Sequence, residues 1–343
     1  MREILVFAFI SFSSTLFSQS VKPENIVFEG AGVRGIAYSG VIHTLEQRNI
    51  IQNIRKVGGT SAGAITALMV SLGYNSTEIY KIISDTKFQK FNDGEFFFVG
   101  GLSRLKTRYG WYKGNEFSKW LEQIIKYKAG DSEITFEQLS KKKFKELYVT
   151  ATCLNKQKLL VFSAETYPQM KIKDAVRISM SIPIYFEAVF IDSIGKVYKK
   201  QQQGKNLDVV VDGGIIGNFP IFIFDSVDTK STPNVRIPNY KTIGVRIDTD
   251  SQIQNDASSR ELVPIQINNF NDYLTAFYIL TLEKLNRATL LPQDWERTIS
   301  VSSVGIGPKI KKLSPEQKQA LIKSGEDFTL KFLDRVTQEV PKP

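Results

Sequence analysis

One pattern constrains this chain more than any other. Twice within about fifty residues, a short apolar strand runs into a glycine turn and then into an apolar helix. Asn25 to Glu29 reads as a buried strand entering Gly30-Ala31-Gly32-Val33-Arg34-Gly35, after which Ile36, Val41, Ile42 and Leu45 recur at helical spacing over 36–47. Ile54 to Val57 enters Gly58-Gly59-Thr60-Ser61-Ala62-Gly63, and residues 64–72 read as a buried helix. That grammar belongs to an α/β layered fold. Further strands are expected over 147–153, 159–162, 207–211 and 242–247, and a helix over 315–336. Ser314 can cap that helix, Pro315 suits its first turn, Gln317 completes a capping box, and Phe328, Phe332 and Val336 give it an apolar face.

Composition enters through two scarce residues. Cys153 is the only cysteine among 343 residues, which excludes an intrachain disulfide framework and a Cys-rich zinc site. His43 is the only histidine, so a hydrolase built on this chain has at most one imidazole. It lies eleven residues beyond Gly32 on the same expected helix, roughly 16 Å away at the helical rise, and no histidine follows Ser61. His43 therefore reads as an ordinary helix residue, and a Ser-His-Asp triad is excluded.

Three motifs remain. Gly59-Thr60-Ser61-Ala62-Gly63 is a G-x-S-x-G, with its serine at a sharp strand-to-helix turn where helix-end N–H groups favour a developing anion. Gly30, Gly32 and Gly35 form a G-x-G-x-x-G with Arg34 inside it. A dinucleotide site would want an acid at the end of the next strand. That strand instead ends in Gly58-Gly59 and the serine turn, so the loop better suits an oxyanion hole made of successive backbone N–H groups. Asp212-Gly213-Gly214 ends the strand expected at 207–211. Such a sequence is ordinarily a turn, but a serine lacking a base in the same fold makes Asp212 the candidate partner.

These blocks together resemble the patatin-like phospholipase family, lipid acyl hydrolases with a Ser-Asp dyad. The match runs in order from Glu29–Gly35 through Gly59–Gly63 and Ser179–Phe186 to Asp212–Gly214, within residues 26–225. The resemblance implies a three-layer α/β/α sandwich with a mostly parallel central sheet. Residues 226–343 would complete the same fold. It also implies that Ser61 attacks an acyl carbonyl, that Asp212 acts as general base, and that Gly32 and Val33 N–H groups hold the oxyanion. No metal or cofactor is required. Catalysis would run on a weak base, since an unperturbed aspartate has a pKa near about 3.9. Two departures stand out: Ala31 replaces the usual third glycine, and residues 192–206 form a long insertion before the aspartate strand.

Residues 1–20 read as an export signal, with Arg2 ahead of an apolar run and Ser18-Gln19-Ser20 as a cleavage pattern; a retained anchor is disfavoured by the run's shortness. The net charge of +10 favours anionic surfaces, although most of the lysines read as a plain solvated surface, and no nucleic-acid motif accompanies it. The partners expected are a lipid substrate and an anionic membrane. Lys87, Lys90, Arg104, Lys106, Arg108 and Lys113 make 87–113 the docking candidate, while most aromatics of 86–114 read as core packing. The competing reading is a catalytically inactive lipid-binding protein on the same fold. Oligomeric state is not encoded legibly.

Overall fold

A computed structural model describes residues 22–94, 97–256, 258–259, 261–307 and 312–338; the expected export segment, 1–20, lies outside them. The main sheet comprises, among the described residues, nine strands. In chain order they are β1 (Asn25–Phe28), β2 (Lys56–Gly59), β3 (Glu146–Cys153), β4 (Lys158–Phe162), β5 (Val189–Ile191), β6 (Val197–Tyr198), β7 (Asp208–Asp212), β8 (Thr242–Asp248) and β9 (Thr298–Ser302). Their spatial order is β9-β8-β1-β2-β3-β7-β5-β6, with β4 also paired to β3. The central block from β9 to β3 is parallel throughout. Strands β7, β5, β6 and β4 extend it by antiparallel pairing. β1 is buried along its whole length, as a central parallel strand must be, which accounts for its apolar Ile26-Val27-Phe28 run.

Helices cover both faces. The ones that matter here are α1 (Ala37–Gln47), α2 (Ala62–Ser71), α3 (Asn115–Ala129), α4 (Ile172–Ser179), α5 (Phe270–Arg287) and α6 (Pro315–Gln338). α2 is buried from Gly63 to Ser71, so it needs no polar face. α1 and α6 approach closely: a Cβ on Gly40 would lie 2.0 Å from the Ile322 carbonyl oxygen. The opposite face of the sheet is sealed by the segment after β7, where Ile223 packs on Gly58 and Phe219 and Ile221 pack on Gly244. The result is the expected α/β/α arrangement. The capping box of α6 forms between Ser314 and Gln317, whereas Val336 is exposed rather than packed. The insertion at 192–206 is the turn of the β5–β6 hairpin followed by an exposed loop.

The sheet also fixes where the serine and aspartate turns meet. β2 runs parallel to residues 146–149 of β3, and β7 runs antiparallel to residues 151–153. β4 occupies the other edge of β3 over 149–153, so β2 and β7 share one edge and arrive from opposite directions. Gly59 stands opposite Val149 and Asp212 opposite Ala151, about 7 Å apart along the strand.

Candidate active site

Ser61 occupies the N-cap position of α2 with φ 53° and ψ −123°, a backbone conformation that L-residues rarely adopt and that surrounding contacts must impose. Close packing supplies those contacts. A Cβ on Gly63 would lie 2.3 Å from the Phe28 carbonyl oxygen, and one on Gly59 would lie 2.4 Å from that of Gly63. The flanking glycines are thus demanded by backbone approach. The Ser61 N–H donates to Ser179 Oγ at 2.9 Å, and the Thr60 hydroxyl donates to the Gly217 carbonyl at 2.8 Å. The Ser61 hydroxyl donates to Met180 Sδ at 3.3 Å.

Asp212 ends β7, and its backbone N–H donates to the Ser181 carbonyl at 2.9 Å. Its carboxylate accepts the Gly214 N–H at 2.7 Å, and the Ser61 hydroxyl is near enough to favour its charged form, although in this structure that hydroxyl donates to Met180 Sδ. Burial pushes its pKa up to about 7, against the lowering effect of those two donors. The expectation of a weak base is corrected here: the interior makes this carboxyl a far better proton acceptor than an exposed aspartate.

Residues 179–181, at the end of α4, bridge the two turns. Ser179 holds the Ser61 backbone, Met180 receives its hydroxyl, and Ser181 anchors Asp212. Buried Arg177 steadies this bridge by donating to Ser181 Oγ at 2.6 Å and to the Lys113 carbonyl at 2.8 Å. The sequence marks this block only through its likeness to a family pattern, and gives no hint of the separate task of each residue.

The glycine-rich loop lies against the serine. A Cβ built on Gly30 would sit 3.3 Å from Ser61 Cβ. Gly32 carries the positive φ of 56°, whereas Ala31 has an ordinary φ of −129°, so alanine costs the loop nothing. Gly32 and Val33 open the 3-10 helix Gly32–Ile36, where the first N–H groups have no intrahelical acceptor. The Arg34 Nε donates to the Ala31 carbonyl at 3.2 Å, folding the guanidinium over its own loop. Gly35 faces Ala62 at the start of α2. A cavity of about 370 Å³ opens beside this loop, lined by Val33, Ile36, Ile83, Phe88, Leu313 and Lys318. A larger hollow of about 520 Å³, near Trp295 and Arg335, includes none of the motif residues.

Two asparagines tie the turns together. Asn218 Nδ2 donates to the Gly30 carbonyl at 3.1 Å, and the Gly30 N–H donates to the Asn218 carbonyl at 3.0 Å. Buried Asn286, in the last turn of α5, accepts the Asn218 N–H at 2.5 Å and donates to the Gly214 carbonyl at 3.1 Å. Neither is visible in the sequence, because an isolated asparagine carries no spacing signal.

His43 is not part of this constellation. On α1 its ring nitrogens face Gln47 of the same helix at 3.0 Å and, from a separate segment, the Ser76 hydroxyl at 3.4 Å. Among the described residues no cluster of metal-ligating side chains occurs. In the aromatic region, Phe88 and Phe91 pack with Phe117 and Trp120, and Tyr112 packs on Tyr185, as core packing predicts. Phe96 lies outside the described residues. Arg104 and Arg108 pair with Glu187, so two of the six cations assigned to a docking surface are engaged internally.

Comparisons with known proteins agree with the fold. The sequence profile of the patatin-like phospholipase family matches residues 26–225. Protein R571 of Acanthamoeba polyphaga mimivirus is 28% identical over 271 residues, which cover 79% of this chain and 78% of that one. The protein named "Probable lipid hydrolase 463L" of Invertebrate iridescent virus 6 is 28% identical over 216 residues, 60% of this chain and 66% of its own. The crystal structure of VipD from Legionella pneumophila superposes with a TM-score of 0.55 at 18% identity, covering 92% of this chain and 67% of that one.

Proposed function

Because the chain belongs to the patatin-like phospholipase family, we propose that it is a serine lipid acyl hydrolase, of phospholipase A or lysophospholipase type, working through Ser61 and Asp212. Ser61 Oγ attacks the acyl carbonyl while its proton passes to the Asp212 carboxylate. Backbone N–H groups of Gly32 and Val33 receive the oxyanion. Collapse expels the alcohol portion of the lipid, which takes the proton from Asp212. A water then attacks the acyl-enzyme, Asp212 accepts its proton, and collapse frees the fatty acid and returns a proton to Ser61.

The observation that carries this reading is the shared anchorage of Ser61 and Asp212 on residues 179–181, with the Asp212 pKa raised to about 7. The serine held at φ 53° at the start of α2 favours a catalytic turn over the non-enzymatic reading. The 370 Å³ cavity beside Val33 mixes apolar side chains (Val33, Ile36, Ile83, Phe88 and Leu313) that suit an acyl chain with polar and charged ones that include Lys87, Lys312 and Lys318. Residues 1–20 would direct export and be removed, and N-terminal sequencing of the mature protein tests this. The charge of +10 would favour approach to anionic membranes, with binding that weakens as salt rises.

The decisive experiment is incubation of the purified protein with diacylphospholipids, lysophospholipids, glycolipids and short-chain esters, with released fatty acid as readout. Turnover of at least one class is expected, together with fluorophosphonate labelling that Ser61→Ala abolishes. A folded wild type that hydrolyses none of them and resists the probe favours the inactive lipid-binding alternative.

A further inference from the structure

We propose that the Met180 thioether is an oxidation site through which a peroxide silences the Ser61 nucleophile; the inference rests on the lipid-hydrolase reading above. Met180 Sδ accepts the Ser61 hydroxyl at 3.3 Å, while the Asp212 carboxylate also lies near that hydroxyl. A thioether is a weak acceptor. Its hold on the hydroxyl is therefore easily exchanged for the stronger one that Asp212 offers when an acyl carbonyl arrives. Oxidising the sulfur reverses that balance, because it places a strong acceptor oxygen beside the nucleophile.

Three observations single out this sulfur. First, it can be reached. Of the four methionines, Met69 and Met170 are 0% and 2% exposed, whereas Met180 is only partly buried; Met1 lies outside the described residues. Second, the one thiol does not compete. Cys153 is buried, and burial raises its pKa, which keeps it as the unreactive thiol rather than the thiolate. Third, the residue cannot withdraw as a whole. Its N–H donates to the Val176 and Arg177 carbonyls at 3.2 and 3.3 Å, and its carbonyl accepts the Ile182 N–H at 2.9 Å. Its neighbours Ser179 and Ser181 hold the backbones of Ser61 and Asp212. Whatever the side chain becomes, it is held close to the Ser61 hydroxyl.

In the step itself, a lone pair on Sδ attacks one oxygen of the peroxide and an S–O bond forms. The O–O bond breaks, and with hydrogen peroxide the second oxygen leaves as water after proton transfer. The sulfur is oxidised by two electrons and the peroxide is reduced by the same two. The sulfoxide oxygen then takes the Ser61 hydroxyl away from Asp212, which must receive its proton in the first step of catalysis.

The test treats wild type and Met180→Leu, a replacement of similar volume without sulfur, with hydrogen peroxide and then with catalase. Peptide mass maps, fluorophosphonate labelling and turnover of a soluble short-chain ester are followed together. Wild type is expected to gain one oxygen first on the peptide carrying Met180, and to lose turnover and labelling about tenfold or more at the same rate. The two methionine sulfoxide reductases, one for each epimer, should restore both with a thiol reductant, which damage elsewhere in the fold would not allow. That rescue tests wild type by itself should the leucine variant fail to fold. Met180→Leu leaves the Ser61 hydroxyl only Asp212 to turn to, so it should work at least as fast as wild type and keep its rate after peroxide. Met180→Gln, which brings an amide oxygen to the place of the sulfur, should be slow without any oxidant. Full activity of wild type oxidised at Met180, equal inactivation of Met180→Leu, or earlier oxidation of Met69, Met170 or Cys153 overturns the proposal. Untreated wild type that neither turns over an ester nor takes the probe fails the hydrolase reading instead, and the mass map then decides by itself whether Met180 is the oxidation site.

Discussion

The backbone N–H of Ser61 donates to the hydroxyl of Ser179, 118 positions downstream, at 2.9 Å. The strained serine turn is thus held by the end of α4, and the next two residues of that segment reach the Ser61 hydroxyl and the Asp212 backbone. Ser179→Ala leaves a buried N–H without a partner. It is expected to lose about 1–3 kcal/mol of stability, read as a lower Tm, and to reduce kcat more than it raises KM, because the misplacement affects the attacking atom.

Replacing the serine itself separates strain from chemistry. Ser61→Ala and Ser61→Gly are both expected to be inactive and unlabelled by a fluorophosphonate. At φ 53° and ψ −123°, however, only glycine is free of the Cβ penalty, of about 1–3 kcal/mol. Ser61→Gly should therefore melt above Ser61→Ala, by about 2–4 °C for each kcal/mol. Equal melting temperatures would contradict the strained turn.

Asp212 makes a prediction with two signs. On the proposed mechanism the carboxylate is the active form, so kcat/KM should rise with pH through about 7 and then level. Stability should move the other way. The folded pKa lies above the unfolded value of about 3.9, so the native state holds its proton more tightly, and stability from this group declines between about pH 4 and pH 7. Asp212→Asn should lose activity by about 10²–10⁴-fold or more, yet melt higher than wild type above neutrality and close to it in acid. His43→Ala should change the rate little. A His43 variant as inactive as Asp212→Asn would refute the dyad.

Asn286 should act at a distance from the reacting atoms. Asn286→Ala strips a partner from the Asn218 N–H and from the Gly214 carbonyl. The expected result is a stability loss of about 1–3 kcal/mol together with a lower kcat. Asn286→Gln, which keeps the amide but shifts it by a methylene, should restore part of the stability and less of the rate. Calorimetry and ester kinetics on the same preparations check both.

Local sequence determined the elements that depend on local physics. The apolar strand before Gly30, the apolar helix after Ser61, and the capping box at Ser314 are short-range consequences of side-chain period and backbone freedom. They lie where the pattern predicts them. The absence of histidine after Ser61 excluded a triad without any coordinates. What the sequence could not decide were relations between distant segments. β9 has too little flanking punctuation to announce itself, and α5 carries periodic apolar residues on an exposed face, so their spacing says nothing of where the helix packs. The pairing of Gly59 and Asp212 along one edge of β3 is a matter of register between strands far apart in the chain. The Asp212 pKa near 7 arises from burial, which no dipeptide reports. A motif records which groups are available; only packing determines how dry they are and which of them touch, because desolvation and contact are properties of the assembled interior.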